Sequence, residues 1–273
     1  MKSALLALTL AALFAPAFSH AADSPAVSAE QYAKVSQGAW RAPENVARDG
    51  YRHPRQTLQF FGLAPQQTVI EITPGNGWYS EWLAPLLKEH GQYVAAVQAP
   101  TVSDYARKNE EKLKAKFAAA PAQYAKATVL EFDPKAPVFG KPGSADTVLT
   151  FRNVHNWVLA DTASKTFEAF FKVLKPGGVL GVVDHRAKNG ASLEDIKHSG
   201  YLTTDYVVKL ATDAGFTLEG QSEINANPKD TKDYPEGVWT LPPALTLGEK
   251  DRAKYVAIGE SDRMTLRFVK PAK

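Results

Sequence analysis

Residues Val69 to Pro85 read VIEITPGNGWYSEWLAP. An apolar β-favouring run, a turn with glycines at 75 and 77, and an amphipathic helical pattern make a strand–turn–helix unit. Such a unit leaves unpaired backbone N–H groups at the carboxyl edge of a sheet. Gly75 and Gly77 permit positive φ and let a ligand approach the main chain without meeting a Cβ. Glu71 selects the ligand: a carboxylate beside the helix N-terminus repels the phosphates of a dinucleotide and attracts an ammonium. The stretch therefore favours an amino-acid-bearing nucleoside over a nicotinamide dinucleotide.

Working outward, short β-rich runs alternate with helical patterns, the mark of a parallel sheet with crossover helices. Strands are expected over Thr68–Ile72, Tyr93–Gln98, Ala127–Phe132, Thr147–Phe151 and Val179–Asp184. Trp78, Trp82, Leu83, Leu86 and Leu87 form one helical stripe, and Phe167, Phe170, Phe171 and Leu174 a later one. Gly91 and Gly215 stand where helix C-caps belong. Pro134, Pro137 and Pro142 turn the crossover between the third and fourth strands into a loop. A strand near Phe216–Ile224, a Pro-rich excursion from Asn227 to about Glu260 and a strand over Met264–Lys270 complete the chain. A connection of that length suggests a lid or binding element. Ahead of the sheet, Ala42–Gly62 reads as one or two helices, with Pro54 at a helix start.

The N-terminus carries Lys2, an apolar run from Ala4 to Phe14, and small residues before Ala21, the pattern of a cleavable secretory signal. The apolar run is roughly half the ~20 residues needed to cross a bilayer, so no stable membrane anchor is expected after cleavage. The protein is expected in the periplasm or secreted, and a chain with no cysteine suits an oxidising compartment. About 250 of the 273 residues would remain, enough for one large α/β domain. The net charge of +3 is too small to argue for nucleic acid, and no basic cluster is interleaved with aromatics. No His/Asp/Glu spacing suggests a metal site. Oligomeric state is not legible.

The opening stretch resembles motif I of the class I S-adenosylmethionine-dependent methyltransferases, an acidic residue followed by a G-x-G-x-G turn in which Thr73 replaces the first glycine. GQYVAAVQ, ATVLEFDP and SADTVLTFRNVHNW resemble the family's second, third and fourth strands. FKVLKPGGVLGVVDHR resembles its helix, K-P-G-G turn and fifth strand, and AGFTLEGQSEINANP with RMTLRFVKP the antiparallel end of its sheet. RDGYRHP and the Asn-Pro-Lys-Asp segment add a likeness to an exported subgroup. The resemblance implies an α/β Rossmann-like three-layer sandwich. Its seven-stranded, mostly parallel sheet would run in the order 3-2-1-4-5-7-6, within residues 67–273. Residues 1–21 would be the signal, and 22–66 an extension covering the site.

It also implies S-adenosyl-L-methionine as cofactor and a small-molecule substrate. Glu71, Thr73, Gly75, Gly77 and Tyr79 would hold the methionine end, Gln98 the ribose, and Asp133 the adenine. Gln98 stands where the family has an acid. Arg152 and Asn153, at the end of strand four, would orient cofactor or substrate, and His155 is the candidate catalytic base. Arg48, Arg52, His53 and Trp157 are candidate substrate contacts. Asp184-His185-Arg186 forms a second polar cluster at the same edge of the sheet. Two rival readings remain: a non-catalytic exported binding protein on the same fold, and a nicotinamide oxidoreductase using Gly75-x-Gly77-x-x-Ser80, against which Glu71 argues.

Overall fold

The computed structural model describes residues 26–272, so the expected signal at 1–21 lies outside the described residues. Seven strands form one sheet: β1 (Thr68–Ile72), β2 (Gln92–Gln98), β3 (Thr128–Phe132), β4 (Ala145–Phe151), β5 (Leu174–His185), β6 (Thr217–Ser222) and β7 (Arg263–Val269). Their order is β3-β2-β1-β4-β5-β7-β6, as the resemblance implies. β1 to β5 are mutually parallel, and β7 runs antiparallel to both β5 and β6. β5 starts earlier than its apolar run because Leu174 already pairs with Ala145. A register shift then absorbs the Lys-Pro-Gly-Gly turn, where Gly177 takes φ +77.

Alternation along β1 builds both layers. Ile70 and Ile72 join one core with Val148, Leu180, Phe167 and Phe170. Val69 joins the other with Leu149, Leu83, Trp82 and Phe61. Glu71 is on the Val69 face and is carried beneath the helix Ser80–Leu87, whose Ser80 meets it.

That helix is more buried than its stripe predicts: seven of its eight residues are buried, Glu81 among them at 0 % exposure. The segment before the sheet covers its outer side. A helix at Ala29–Ser36, not anticipated because few of its residues are apolar, starts with a Ser28/Gln31 capping box and buries Tyr32 and Val35. Short helices follow at Pro43–Val46, Asp49–Arg52 and Pro54–Phe60. Asn45 Nδ2 (2.8 Å) and Lys116 Nζ (2.5 Å) donate to Glu81 Oε1, and Trp40 Nε1 donates to the Glu81 carbonyl (3.0 Å). Arg41 lies 3.6 Å from the Glu81 carboxylate and pairs with Asp49 at 2.6 Å. The covering segment is thus tied to the sheet through a buried carboxylate.

The Asn227–Glu260 excursion contains a 3-10 turn at Gly237–Thr240 and a helix at Arg252–Ile258. Gly237 has φ +52, and a Cβ there would lie 2.2 Å from the Ser199 carbonyl oxygen, so the excursion is pressed against the helix Leu193–Ser199. Among the described residues, no helix is long and apolar enough to cross a membrane.

Candidate functional site

A cavity of about 870 Å³ opens at the carboxyl edge of the sheet. One wall is the turn after β1. Thr73, Gly75 and Gly77 have φ of +51, +58 and +74. Thr73 therefore adopts the left-handed conformation that glycine would adopt without a Cβ penalty. The Thr73 backbone N–H donates to the Ala96 carbonyl at 2.7 Å, while its buried hydroxyl has no partner among the described residues. A Cβ built on Gly75 would meet nothing within 4 Å, because the residue borders the cavity. Gly77 is different. Its Cβ would come within 2.9 Å of Leu113 Cδ1, and the residue does not line the cavity. Its positive φ lets the helix Asp104–Ala119 pack close, a role in packing rather than in ligand approach.

Glu71 lines the cavity at 2 % exposure. Tyr93 Oη donates to Oε2 at 2.6 Å and Ser80 Oγ approaches the same oxygen at 3.4 Å. Oε1 accepts no hydrogen bond from the described residues. Burial raises the carboxyl from its ordinary 4.5 to about 7, against the lowering effect of the Tyr93 and Ser80 hydrogen bonds and of Lys116 and Arg52. Gln98, at the tip of β2, borders the cavity with no side-chain hydrogen bond among the described residues.

A second wall follows β4 and β5. Asn153 Nδ2 donates to the Ile72 carbonyl at 2.9 Å and to Thr150 Oγ1 at 3.1 Å, bracing the tips of β1 and β4 together. Asp184 accepts three N–H groups: Val154 N (2.7 Å), His185 N (2.7 Å) and His155 Nδ1 (2.9 Å). A carboxylate accepts only, so Nδ1 of His155 carries the proton and its Nε2 keeps a free lone pair. His155 is 5 % exposed and lines the cavity. His185 Nδ1 meets Ser261 Oγ at 2.5 Å. Burial, with the charges of His155, Arg152, Arg263 and Arg52, pushes His185 well below the usual histidine range and keeps it neutral. Among the described residues, His155, Asp184 and His185 are the cluster with metal-ligand potential, their ligand atoms within 4.8 Å of one another. Both Asp184 oxygens are already committed to N–H groups.

The structure brings Glu71, Thr73, Gly75, Tyr79, Gln98, Arg152, Asn153, His155, Arg48, Arg52 and Trp157 to one cavity. Tyr79 stacks on Phe151 at 3.5 Å and is 4 % exposed, so most of its ring belongs to the core. Trp157 likewise packs edge-on against Phe170. Three expected contacts do not line the cavity. Asp133 is exposed and its Oδ1 accepts the Lys135 N–H at 2.8 Å, closing the Asp-Pro turn. His53, at φ +42, is the junction between two short helices. Gly77 is the third. The Asn227–Glu260 excursion adds Val238, Trp239, Leu241, Pro242 and the carboxylate of Glu260, which no local sequence pattern singles out. The same holds for the pairing of Asp184 with His155.

Residues 70–182, from β1 into β5, match the sequence family described as a methyltransferase domain. Over this stretch, 113 of the 273 residues, the chain is similar to a methyltransferase domain. The cofactor such a domain implies is S-adenosylmethionine. No curated protein matches the sequence. Among solved structures, the chain is similar to a SAM-dependent methyltransferase from Aquifex aeolicus. The TM-score is 0.56 at 16% identity, covering 87% of this chain and 97% of that one. It is also similar to the [4+2]-cyclase SpnF, with a TM-score of 0.57 at 15% identity, covering 87% and 86%. At these identities the likeness establishes the fold, and the second neighbour shows that the fold carries more than one chemistry. The cavity fits the cofactor on chemical grounds: an oxygen of Glu71 that accepts no hydrogen bond from the described residues suits an ammonium, and the unencumbered Gly75 turn suits close approach of a main chain.

Proposed function

We propose that the protein is an exported methyltransferase that uses S-adenosylmethionine to modify a small molecule. The observation that carries this reading is the Glu71 carboxylate at the cavity wall, with one oxygen unbonded, beside a turn of positive φ. In this reading Glu71 holds the ammonium, the turn at Thr73–Gly75 holds the rest of the methionine end, and Gln98 accepts from the ribose hydroxyls. The bound cofactor supplies an electrophilic methyl group on a sulfonium. The protein supplies alignment and, for an acceptor that arrives protonated, a base. His155 Nε2 takes that proton, and Asp184 fixes the ring's tautomer and stabilises the imidazolium. Asn153 holds the tip of β4 against β1, and so sets where His155 stands relative to Glu71. Export rests on the Lys2–Ala21 pattern and the absence of cysteine.

Gln98 favours a second reading, a non-catalytic binding protein, because a neutral acceptor at the ribose site weakens cofactor capture. Titration calorimetry with S-adenosylmethionine, S-adenosylhomocysteine and NAD tests the proposal. Saturable heat with the two sulfur ligands and none with NAD is expected. No heat from either sulfur ligand up to millimolar concentration would sink both the cofactor assignment and the activity built on it. Binding without methyl transfer to any acceptor, in wild type and in Gln98→Glu alike, would favour the second reading.

A further inference from the structure

The side of the cavity away from Gln98 holds a charge imbalance that the cofactor does not absorb. Arg48, Arg52 and Arg152 all line it, and a single carboxylate, Glu260, stands among them. Glu260 Oε1 accepts from Arg48 Nε at 2.7 Å, and Oε2 from Arg52 Nε at 3.1 Å and Arg263 Nη1 at 3.1 Å. Arg263 is fully engaged, its Nη2 donating to the Tyr51 carbonyl and its Nε to that of Ser261. The other three have donors to spare. Nη2 of Arg48 and Nη2 of Arg52 are buried and meet no acceptor among the described residues. The guanidinium of Arg152 makes no hydrogen bond or ion pair within the described residues, although a left-handed backbone at φ +62 carries it. Four guanidinium groups around one carboxylate leave a local surplus of three positive charges. Desolvation and mutual repulsion lower Arg152 from the usual guanidinium range to about 10, and the same causes lower Arg52. Buried donors without partners are costly, and planar, forked donors of this kind suit carboxylate and phosphate oxygens.

The carboxylate that gathers these arginines stands apart from Glu71, although Arg52 still lowers the Glu71 carboxyl. Glu71 belongs to β1, whereas Glu260 leads into β7, three strands away in the order β1-β4-β5-β7, or about 14 Å at ~4.8 Å per strand. His155 lies between, on the helix that follows β4. A single cofactor carboxylate would also leave two of the three surplus charges unanswered. Resting on the methyltransferase reading, we propose that the acceptor is an anionic small molecule whose carboxylate or phosphate group docks on Arg48, Arg52 and Arg152. Its nucleophilic atom is then directed toward His155.

The test is calorimetric titration of inorganic phosphate, malonate and uncharged glycerol into protein saturated with S-adenosylhomocysteine, at constant ionic strength. Phosphate or malonate should bind one-to-one and glycerol should not; the stronger of the two anions identifies the group. Arg152→Gln, which breaks no hydrogen bond, should weaken the anion about tenfold or more while leaving S-adenosylhomocysteine within about twofold, as expected for a charge-assisted bond. Arg48→Gln serves as a second variant. Absence of anion binding to the loaded protein overturns the proposal. So does an equal loss of anion and S-adenosylhomocysteine affinity in Arg152→Gln, which would assign the arginines to the cofactor's own carboxylate. If S-adenosylhomocysteine fails to bind at all, the methyltransferase reading falls separately. The same titrations on the unloaded protein then decide whether the arginines form an anion site.

Discussion

Glu71→Gln should make the protein more stable and less able to bind. The wild-type carboxyl is buried, and its proton is held up to about pH 7 against an ordinary 4.5. Between those values the native state binds more protons than the unfolded chain, so this group's contribution to stability is complete below about pH 4.5 and is lost as pH rises through about 7. At ~1.4 kcal/mol per pH unit the loss amounts to about 3 kcal/mol. Glutamine keeps the shape and can still accept from Tyr93 Oη, but it does not titrate. The stability difference between the variant and wild type, measured by urea unfolding at pH 5 and pH 8, should therefore grow by up to ~3 kcal/mol toward pH 8. Taking the difference cancels the other titrating groups, His185 included. Over the same comparison S-adenosylhomocysteine should bind the variant at least tenfold more weakly at pH 8, because a charge-assisted bond to its ammonium becomes a neutral one. A stability gap that does not change with pH would refute the burial argument. An unchanged affinity would refute the assignment of Glu71 to the ligand.

Other substitutions probe the remaining parts of the account. Gln98→Glu should tighten S-adenosylmethionine binding by about tenfold in calorimetry, since a charged acceptor replaces a neutral one; weaker binding would remove Gln98 from the ribose site. Glu81→Ala removes the buried acceptor of Asn45 and Lys116, while Arg41 keeps Asp49, and should cost about 1.5–3 kcal/mol in denaturant unfolding, the worth of a hydrogen bond to a charged group. Gly77→Ala, at φ +74 and 2.9 Å from Leu113, should destabilise by about 1–3 kcal/mol. The same change at Gly75, where a Cβ meets open space, should act on ligand binding as well as on stability. His155→Ala should abolish turnover with a protonated acceptor while leaving S-adenosylhomocysteine affinity within about twofold.

The strand ladder was legible because each strand here is a short apolar run closed by a turn residue. The expected limits of the five parallel strands match the observed ones to within five residues, β1 at both ends, and the largest discrepancy, at Leu174, comes from pairing across the Lys-Pro-Gly-Gly turn. That Glu71 and Gly75 border the cavity was legible for a local reason: both belong to the end of β1 and the turn that follows it. Gly77 looked identical in sequence, but its environment is set by Leu113, on a helix 36 residues later. The charged clusters had no local signature at all. Arg48 meets Glu260 across 212 positions, Asn45 meets Glu81 across 36, and His155 meets Asp184 across 29. The sheet order brings β4, β5 and the approach to β7 side by side, and the covering segment folds Asn45 and Arg48 onto Glu81 and Glu260.

The most direct test is a crystal structure of the protein with S-adenosylhomocysteine bound. The ligand's amine should lie about 3 Å from a Glu71 carboxyl oxygen, its main chain against the Thr73–Gly75 turn, and its ribose at Gln98. A ligand lodged elsewhere, or an amine turned away from Glu71, would contradict the account at its base.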